Sequence, residues 1–214
     1  MSGPPAARRG SDRRAGGWEA VALRGLEYVA YPALAGIAFC LLCVGVVTWL
    51  PALAAVGNAL QRWRVENATR PFVGVLTAFP GYWRALWRHA VVSTAVLAVL
   101  TVNGIFLAGQ PEPVAIPLLA VQLGILAAFA PYHLALAVVA GRVPDGGLRL
   151  WRGAALLLAF GSARRGLTLL AAAVLIPILT LPLALGPFLL GTTLPVLAGL
   201  ALADHATGTA APRR

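Results

Sequence analysis

Lysine is absent from this sequence, and charge of either sign is scarce. Only 11% of the 214 residues are charged, while 59% are hydrophobic. Soluble domains carry roughly a quarter charged residues. A water-soluble fold of this size needs more polar surface than this chain supplies. Apolar helices in lipid do not, because lipid requires only that backbone groups be bonded internally. Acidic residues number seven: Asp12, Glu19, Glu27, Glu66, Glu112, Asp145 and Asp204. All fall in tails, links or segment ends, which excludes a buried carboxylate relay and a carboxylate pair for hydrolysis. The two cysteines, Cys40 and Cys43, have the spacing of a redox or zinc CxxC. Zinc takes about four ligands, and no further Cys or His lies nearby in sequence. The pair therefore reads as small side chains packed on one helix. GxSxG, HExxH and Walker-type motifs are also missing. No catalytic residue, metal or cofactor is expected.

What is present is arginine. All 17 basic residues are Arg, giving a net charge of +10. With the excess of Ala, Gly, Pro and Leu, this composition indicates a GC-rich bacterial genome. A basic balance can signal nucleic acid. Here the Arg residues lie between apolar segments, where the positive-inside rule accounts for them, and no nucleic-acid partner is expected.

Four apolar blocks stand out: Tyr28 to Leu60, broken at Pro51; His89 to Leu107; Pro113 to Ala140; and Leu167 to Ala203, interrupted at Pro182 and Gly186-Pro187. A span needs about 20 residues, so the middle blocks cross once each. The first and last are too long for one span. Arg8, Arg9, Arg13, Arg14 and Arg24 precede the first block; Arg62, Arg64, Arg70, Arg84 and Arg88 follow it. Arg142, Arg149, Arg152, Arg164 and Arg165 follow the third. The links at 109–112 and 182–187 carry no Arg. If the first and last blocks are hairpins, every basic segment is cytoplasmic. The expectation is an all-α polytopic transmembrane bundle of six spans, with five the alternative, in a bacterial inner membrane with both termini cytoplasmic. Gly25 to Trp63 amounts to about 58 Å of helix, so a short tilted second helix or a re-entrant hairpin would also fit. The expected organisation is a disordered basic tail over 1–22, retained rather than cleaved, one transmembrane domain over 23–205 and a short tail over 206–214.

Tryptophan follows the same orientation: Trp18, Trp63, Trp83, Trp87 and Trp151 fall in basic segments, and only Trp49 lies at the outer end. Phe79 to His89 and Trp151 to Arg165 have the composition of amphipathic helices lying on the cytoplasmic surface. Laying Phe79, Arg84 and Leu86 on Phe160, Arg165 and Leu167 gives a faint repeat. Arg84, Arg88, Arg164 and Arg165 are candidates for contact with anionic lipid headgroups. Asn67-Ala68-Thr69 matches a glycosylation sequon but falls on the cytoplasmic side of this topology.

Polar residues inside the spans are few: Ser93, Thr101, Asn103, Gln122, Tyr132, His133 and Thr180. Asn103 and Gln122 read as hydrogen bonds across helices. His133 follows Pro131, where a helical donor is lost. It caps the freed carbonyl, faces the interface or lines a polar path, and Asn103 and His133 are the candidate intramembrane polar site.

At Val44 to Leu60, VGVVTWLPALAAVGNAL, the chain resembles the YesL-like family of bacterial membrane proteins of unknown function. Val47, Thr48, Pro51, Ala54 and Ala55 match its pattern of a span ending in Leu-Pro-x-Val-Thr, then Pro and two Ala. Gly45 replaces the family's usual proline, softening the bend. Phe79 and Trp83-Arg84-Ala85-Leu86 resemble its aromatic and basic segment, and Ala154 to Leu170 its second amphipathic segment. Thr48 is placed to cap a helix starting near Pro51, and Ala54 and Ala55 are small enough to let helices approach. The resemblance implies a non-enzymatic accessory or regulatory factor associated with carbohydrate uptake, partnered by the bilayer and a sugar-transport complex. The alternative is a permease-like subunit of an ABC-type sugar importer. Such subunits carry an acidic Glu-Ala-Ala coupling motif that neither basic segment contains.

Overall fold

The computed structural model describes residues 16–183 and 185–208. Among them every regular element is helical: α1 (Gly16–Leu42), α2 (Trp49–Glu66), α3 (Pro71–Ala108), α4 (Ala115–Arg142), α5 (Gly147–Phe160), α6 (Ala163–Thr180), the single turn α7 (Gly186–Leu189) and α8 (Thr193–Thr207), with 3-10 turns at Val46–Thr48 and Pro144–Gly146. Most of the tail expected over 1–22 lies outside the described residues; α1 already begins at Gly16.

Helix ends follow local chemistry. Asn67 closes α2 in the left-handed region, at φ 54 and ψ 35, and its N–H bonds the Arg62 carbonyl. Asn tolerates this conformation better than other residues with a Cβ. Pro71 opens α3 at its first turn, where a missing N–H costs nothing. Once started, α3 runs for 38 residues, about 57 Å.

Four helices are long and apolar enough to cross a membrane: α1 over Gly25–Leu42, α3, α4 and α6. The chain is accordingly a membrane-embedded helical bundle. Neither α2 nor α8 is among the four, so this count falls short of the six spans that the Arg pattern implies. The separate surface helix expected over Phe79 to His89 is instead the middle of α3. Pro80 lies inside that helix without ending it, because losing one internal hydrogen bond does not outweigh long helical flanks. The second stretch does break: α5 ends at Phe160, Ser162 is extended (φ −154, ψ 130), and Arg164 and Arg165 open α6. The residues aligned as a repeat therefore occupy different local structures.

The core centres on α2, whose buried residues include Leu50, Pro51, Ala52, Ala54, Ala55, Val56, Gly57, Ala59 and Leu60. It packs against α1, α3, α4 and α8. Gly57 and Gly141 let α2 and α4 approach closely. A Cβ on Gly141 would lie 2.5 Å from the Gly57 carbonyl carbon and 2.6 Å from the Asn58 nitrogen. The Asn58 amide spans the same contact, donating to the Gly141 carbonyl at 3.2 Å.

Specific contacts fix relative levels. The α2, α4 and α8 ends meet where Asp204 pairs with Arg64 at 2.7 Å and Arg142 at 3.0 Å. Tyr28 and Tyr31 of α1 pack edge-on to Trp63, also near the end of α2. At the other end of α2, Trp49 Nε1 donates to Thr94 of α3 at 2.9 Å. The last turns of α1 lie beside α7: Cys40 Sγ is 3.2 Å from the Phe188 carbonyl, and Gly36 abuts the Leu189 backbone. Beyond Thr94, α3 continues 14 residues to Ala108, about 21 Å, alongside the first half of α4. Asn103 and Gln122 tie this extension together: the Asn103 amide donates to Gln122 Oε1, and the Gln122 amide donates to the Leu100 carbonyl.

Candidate functional site

Where the two hairpin turns meet the α3–α4 pair there is a cavity of about 560 Å³. Its wall draws on α1 (Phe39), α2 (Trp49, Leu53), α3 (Leu97), α4 (Leu123 to Leu134), α6 (Leu170, Ala173, Val174, Pro177) and the start of α8 (Thr192, Pro195). The lining is overwhelmingly apolar and contains no ionisable group other than His133. Its volume falls within the roughly 300–1,000 Å³ of small-molecule sites.

His133 is buried and held at both ring nitrogens. Nδ1 is 2.9 Å from the Phe129 carbonyl, and Nε2 is 2.8 Å from Ser93 Oγ. A carbonyl only accepts, so Nδ1 carries the hydrogen; in the neutral ring Nε2 accepts from the Ser93 hydroxyl. Proline at 131 leaves the Ala127 carbonyl without its helical donor. The expected cap on that carbonyl is not formed: His133 reaches the one at Phe129, four residues behind itself. Around it lie the rings of Trp49 at 5.4 Å, Phe129 at 3.8 Å and His89 at 5.6 Å, the last stacked at 20°. His89 Nε2 is buried without a hydrogen-bond partner.

A serine hydroxyl on an imidazole whose other nitrogen is oriented by a third group has the layout of a nucleophile–base pair. Here access fails. Ser93 is only 4% exposed and does not line the cavity, so a carbonyl substrate in the cavity has no route to its Oγ. The contact serves as a hydrogen bond between α3 and α4.

The remaining candidates separate. Asn103 bonds Gln122 well away from His133, towards the α3–α4 turn, so the two do not form one site. Thr48 precedes α2 but does not cap it. Its backbone is already αR, no side-chain cap bond forms, and the hydroxyl donates back to the Leu42 carbonyl at the end of α1. Pro51, Ala54 and Ala55 are buried in the contact face of α2. Phe79 stacks on Trp83 with centroids 6.2 Å apart. Arg84 and Arg88 stand exposed on α3, and the Arg88 guanidinium lies 5.3 Å from the centre of the Trp87 ring. Arg164 and Arg165 line a different recess, with Ser162, Thr168 and His205. Trp49, expected at the outer end, lies in the cavity wall, its N–H satisfied by Thr94.

Thr192 and His89 were not singled out by sequence, and Trp49 only as an interfacial residue. Their positions depend on which helices turn back at the same level, and no local pattern carries that. Among the described residues no group of three or more His, Cys, Asp or Glu could hold a metal ion. Fold and site together define a membrane-embedded helical protein with an open, apolar cavity between its helices. No protein-family model, curated protein or solved structure matches the chain.

Proposed function

We propose that the chain is a non-enzymatic protein of a bacterial inner membrane, with both termini cytoplasmic, acting as an accessory or regulatory factor in carbohydrate uptake. The observation that carries the non-enzymatic reading is the burial of Ser93: its hydroxyl bonds His133 but Ser93 does not line the apolar cavity that His133 borders. The link to carbohydrate uptake rests on the YesL-like resemblance alone. Thr48, Pro51, Ala54 and Ala55, which carry it, form the turn and contact face of α2. Purification from native membranes in mild detergent tests this reading: a sugar-transport complex should accompany the protein, and its absence would end the accessory role.

Within this proposal α3 and α4 cross the bilayer completely. The α1–α2 and α6–α8 hairpins enter from the cytoplasmic side and turn inside it. Two facts support this arrangement. Arg84, Arg88, Arg142, Arg164 and Arg165 sit towards one end of the molecule, and α3 and α4 run about 21 Å past the level of Trp49 with Val96, Val99, Val102, Ile105, Ile116 and Val121 exposed. Placing that apolar extension in lipid puts the hairpin turns at depth and the Arg residues at the headgroups, where anionic lipid would meet them. Six helices then enter the membrane but only two cross it in full.

A permease-like role has one feature in its favour. α5 links α4 to α6 and buries Trp151, Ala155, Leu158 and Ala159 on one face while exposing Arg149 and Arg152. Substrate-stimulated ATP hydrolysis in liposomes with a partner ATPase would establish that role.

A further inference from the structure

The start of α6 runs against the usual electrostatic preference. The N-terminal end of a helix is its positive end and favours acidic residues in the first turn. The first turn of α6 has none, and Arg164 and Arg165 stand there instead. No carboxylate relieves them. Among the described residues neither arginine forms an ion pair, and Asp204, the one acidic residue of the neighbouring α8, is engaged with Arg64 and Arg142. Both arginines also border a recess of about 580 Å³ between the start of α6 and the end of α8, completed by Ser162, Thr168, Leu202, His205 and Ala206. Thr168 has spent its hydroxyl hydrogen on the Arg164 carbonyl. The donors left to the recess are two guanidiniums, the His205 imidazole and the Ser162 hydroxyl, which makes no cap bond to α6. Two uncompensated positive charges and a set of donors thus meet at one concave surface, part of whose wall, Leu202 and Ala206, is apolar.

We propose that this recess binds the headgroup of an anionic phospholipid that ends in a phosphate monoester. Charge and donor count select the head. A phosphate monoester carries about −1.5 to −2 charge and three free oxygens at neutral pH, which matches two unpaired guanidiniums. Arginine also meets phosphate in the two-pronged geometry that gives the strongest hydrogen bonds. A phosphodiester head brings a single charge and leaves one of the two arginines uncompensated. The apolar part of the wall selects a lipid over a free phosphate, because Leu202 and Ala206 can lie only against the glycerol and the first carbons of the chains. Arg84 and Arg88 offer a contrast within the same molecule: they stand exposed on α3, with Arg88 spread over the Trp87 ring. This inference rests on the proposed seating, which puts this end of the bundle at the headgroups, and is independent of the link to carbohydrate uptake.

The test is calorimetric titration of the full chain in a neutral detergent with dihexanoyl phosphatidic acid, dihexanoyl phosphatidylglycerol and glycerophosphate. The first is the monoester lipid, the second the diester lipid, and the third the same monoester without chains. Saturable binding is expected for the monoester lipid, about tenfold or more tighter than for either of the others. Replacing both Arg164 and Arg165 by Gln should weaken it by about tenfold or more, whereas replacing Arg84 and Arg88 by Gln should change it by less than about twofold. Without ligand, the Arg164→Gln, Arg165→Gln variant should unfold at or above the temperature of the parent, since two charges opposed to the helix dipole are gone. A lower unfolding temperature would show those charges already compensated within the protein and overturn the inference. So would non-saturating heats, equal affinity for the diester lipid or for glycerophosphate, or equal loss in the two double variants. Because the titration is made without a bilayer, its failure is distinct from failure of the proposed seating, which is read by cysteine labelling of the outer links.

Discussion

Gly57 and Gly141 have a clear energetic signature at the scale of single residues. Each would place a Cβ against the other helix's backbone, which cannot rotate away as a side chain can. Gly141→Leu should lower stability by about 1–3 kcal/mol through overpacking, read as thermal unfolding in detergent. Gly153→Ala meets nothing within 4 Å and should be neutral or stabilise by up to about 1 kcal/mol. Equal behaviour of the two would refute the close approach of α2 and α4. Asn103→Leu should be mild, about 0.6 kcal/mol, since it removes one side-chain partner from an exposed extension. Sequence had anticipated the small residues on α2 and that Asn103 and Gln122 bond across helices, though not that they bond each other, because both are consequences of burying helices in lipid. It misassigned Thr48: capping propensity describes an isolated helix start, whereas here an orphan carbonyl of the preceding helix lies closer.

For the helices as elements, the exposed ends of α2, α4 and α8 are joined by one carboxylate. Asp204 serves both Arg64 and Arg142, and all three side chains keep partial contact with solvent. Asp204→Asn should therefore cost only about 1 kcal/mol, discounted for screening. The visible effect should be local: faster proteolysis after α8, with the gap between variant and parent narrowing at high salt. Unchanged cleavage would show that α8 is held by its apolar face alone. Helix existence was legible here from composition and apolar run length. Helix continuity was not. Phe79 to His89 has the aromatic and Arg content of a surface helix, yet it is the middle of α3, since composition does not reveal whether a preceding helix stops. Gly161-Ser162, by contrast, did end α5, where glycine and an extended serine coincide.

For the molecule as a whole, the two ways of seating it in a bilayer differ at the α1–α2 and α6–α7 links. Full spans put both the α3–α4 link and the α6–α7 link outside the cell. The proposed arrangement exposes only the first. Gln110→Cys should react with an impermeant thiol reagent added outside intact cells, in a background lacking Cys40 and Cys43. Leu185→Cys should react poorly. Gly186 is unsuitable as the second reporter, because a Cβ there would fall 2.3 Å from the Thr180 carbonyl. Equal labelling at Gln110 and Leu185 would restore six complete crossings.

The sequence by itself determined that this chain belongs in lipid, that its regular structure is helical and that its Arg residues fall between the apolar segments. These are properties of composition and order along the chain, and the bilayer's demand for internally bonded backbone converts them directly into helices. Tertiary structure alone decided which helices turn back at the same level. That choice depends on where two glycines allow α2 to approach α4, on Asp204 holding three helix ends together and on Trp49 reaching Thr94. The cavity is the space left where those hairpins stop and α3 and α4 continue. Contacts between residues 40 to 140 positions apart create it, and no local periodicity records them.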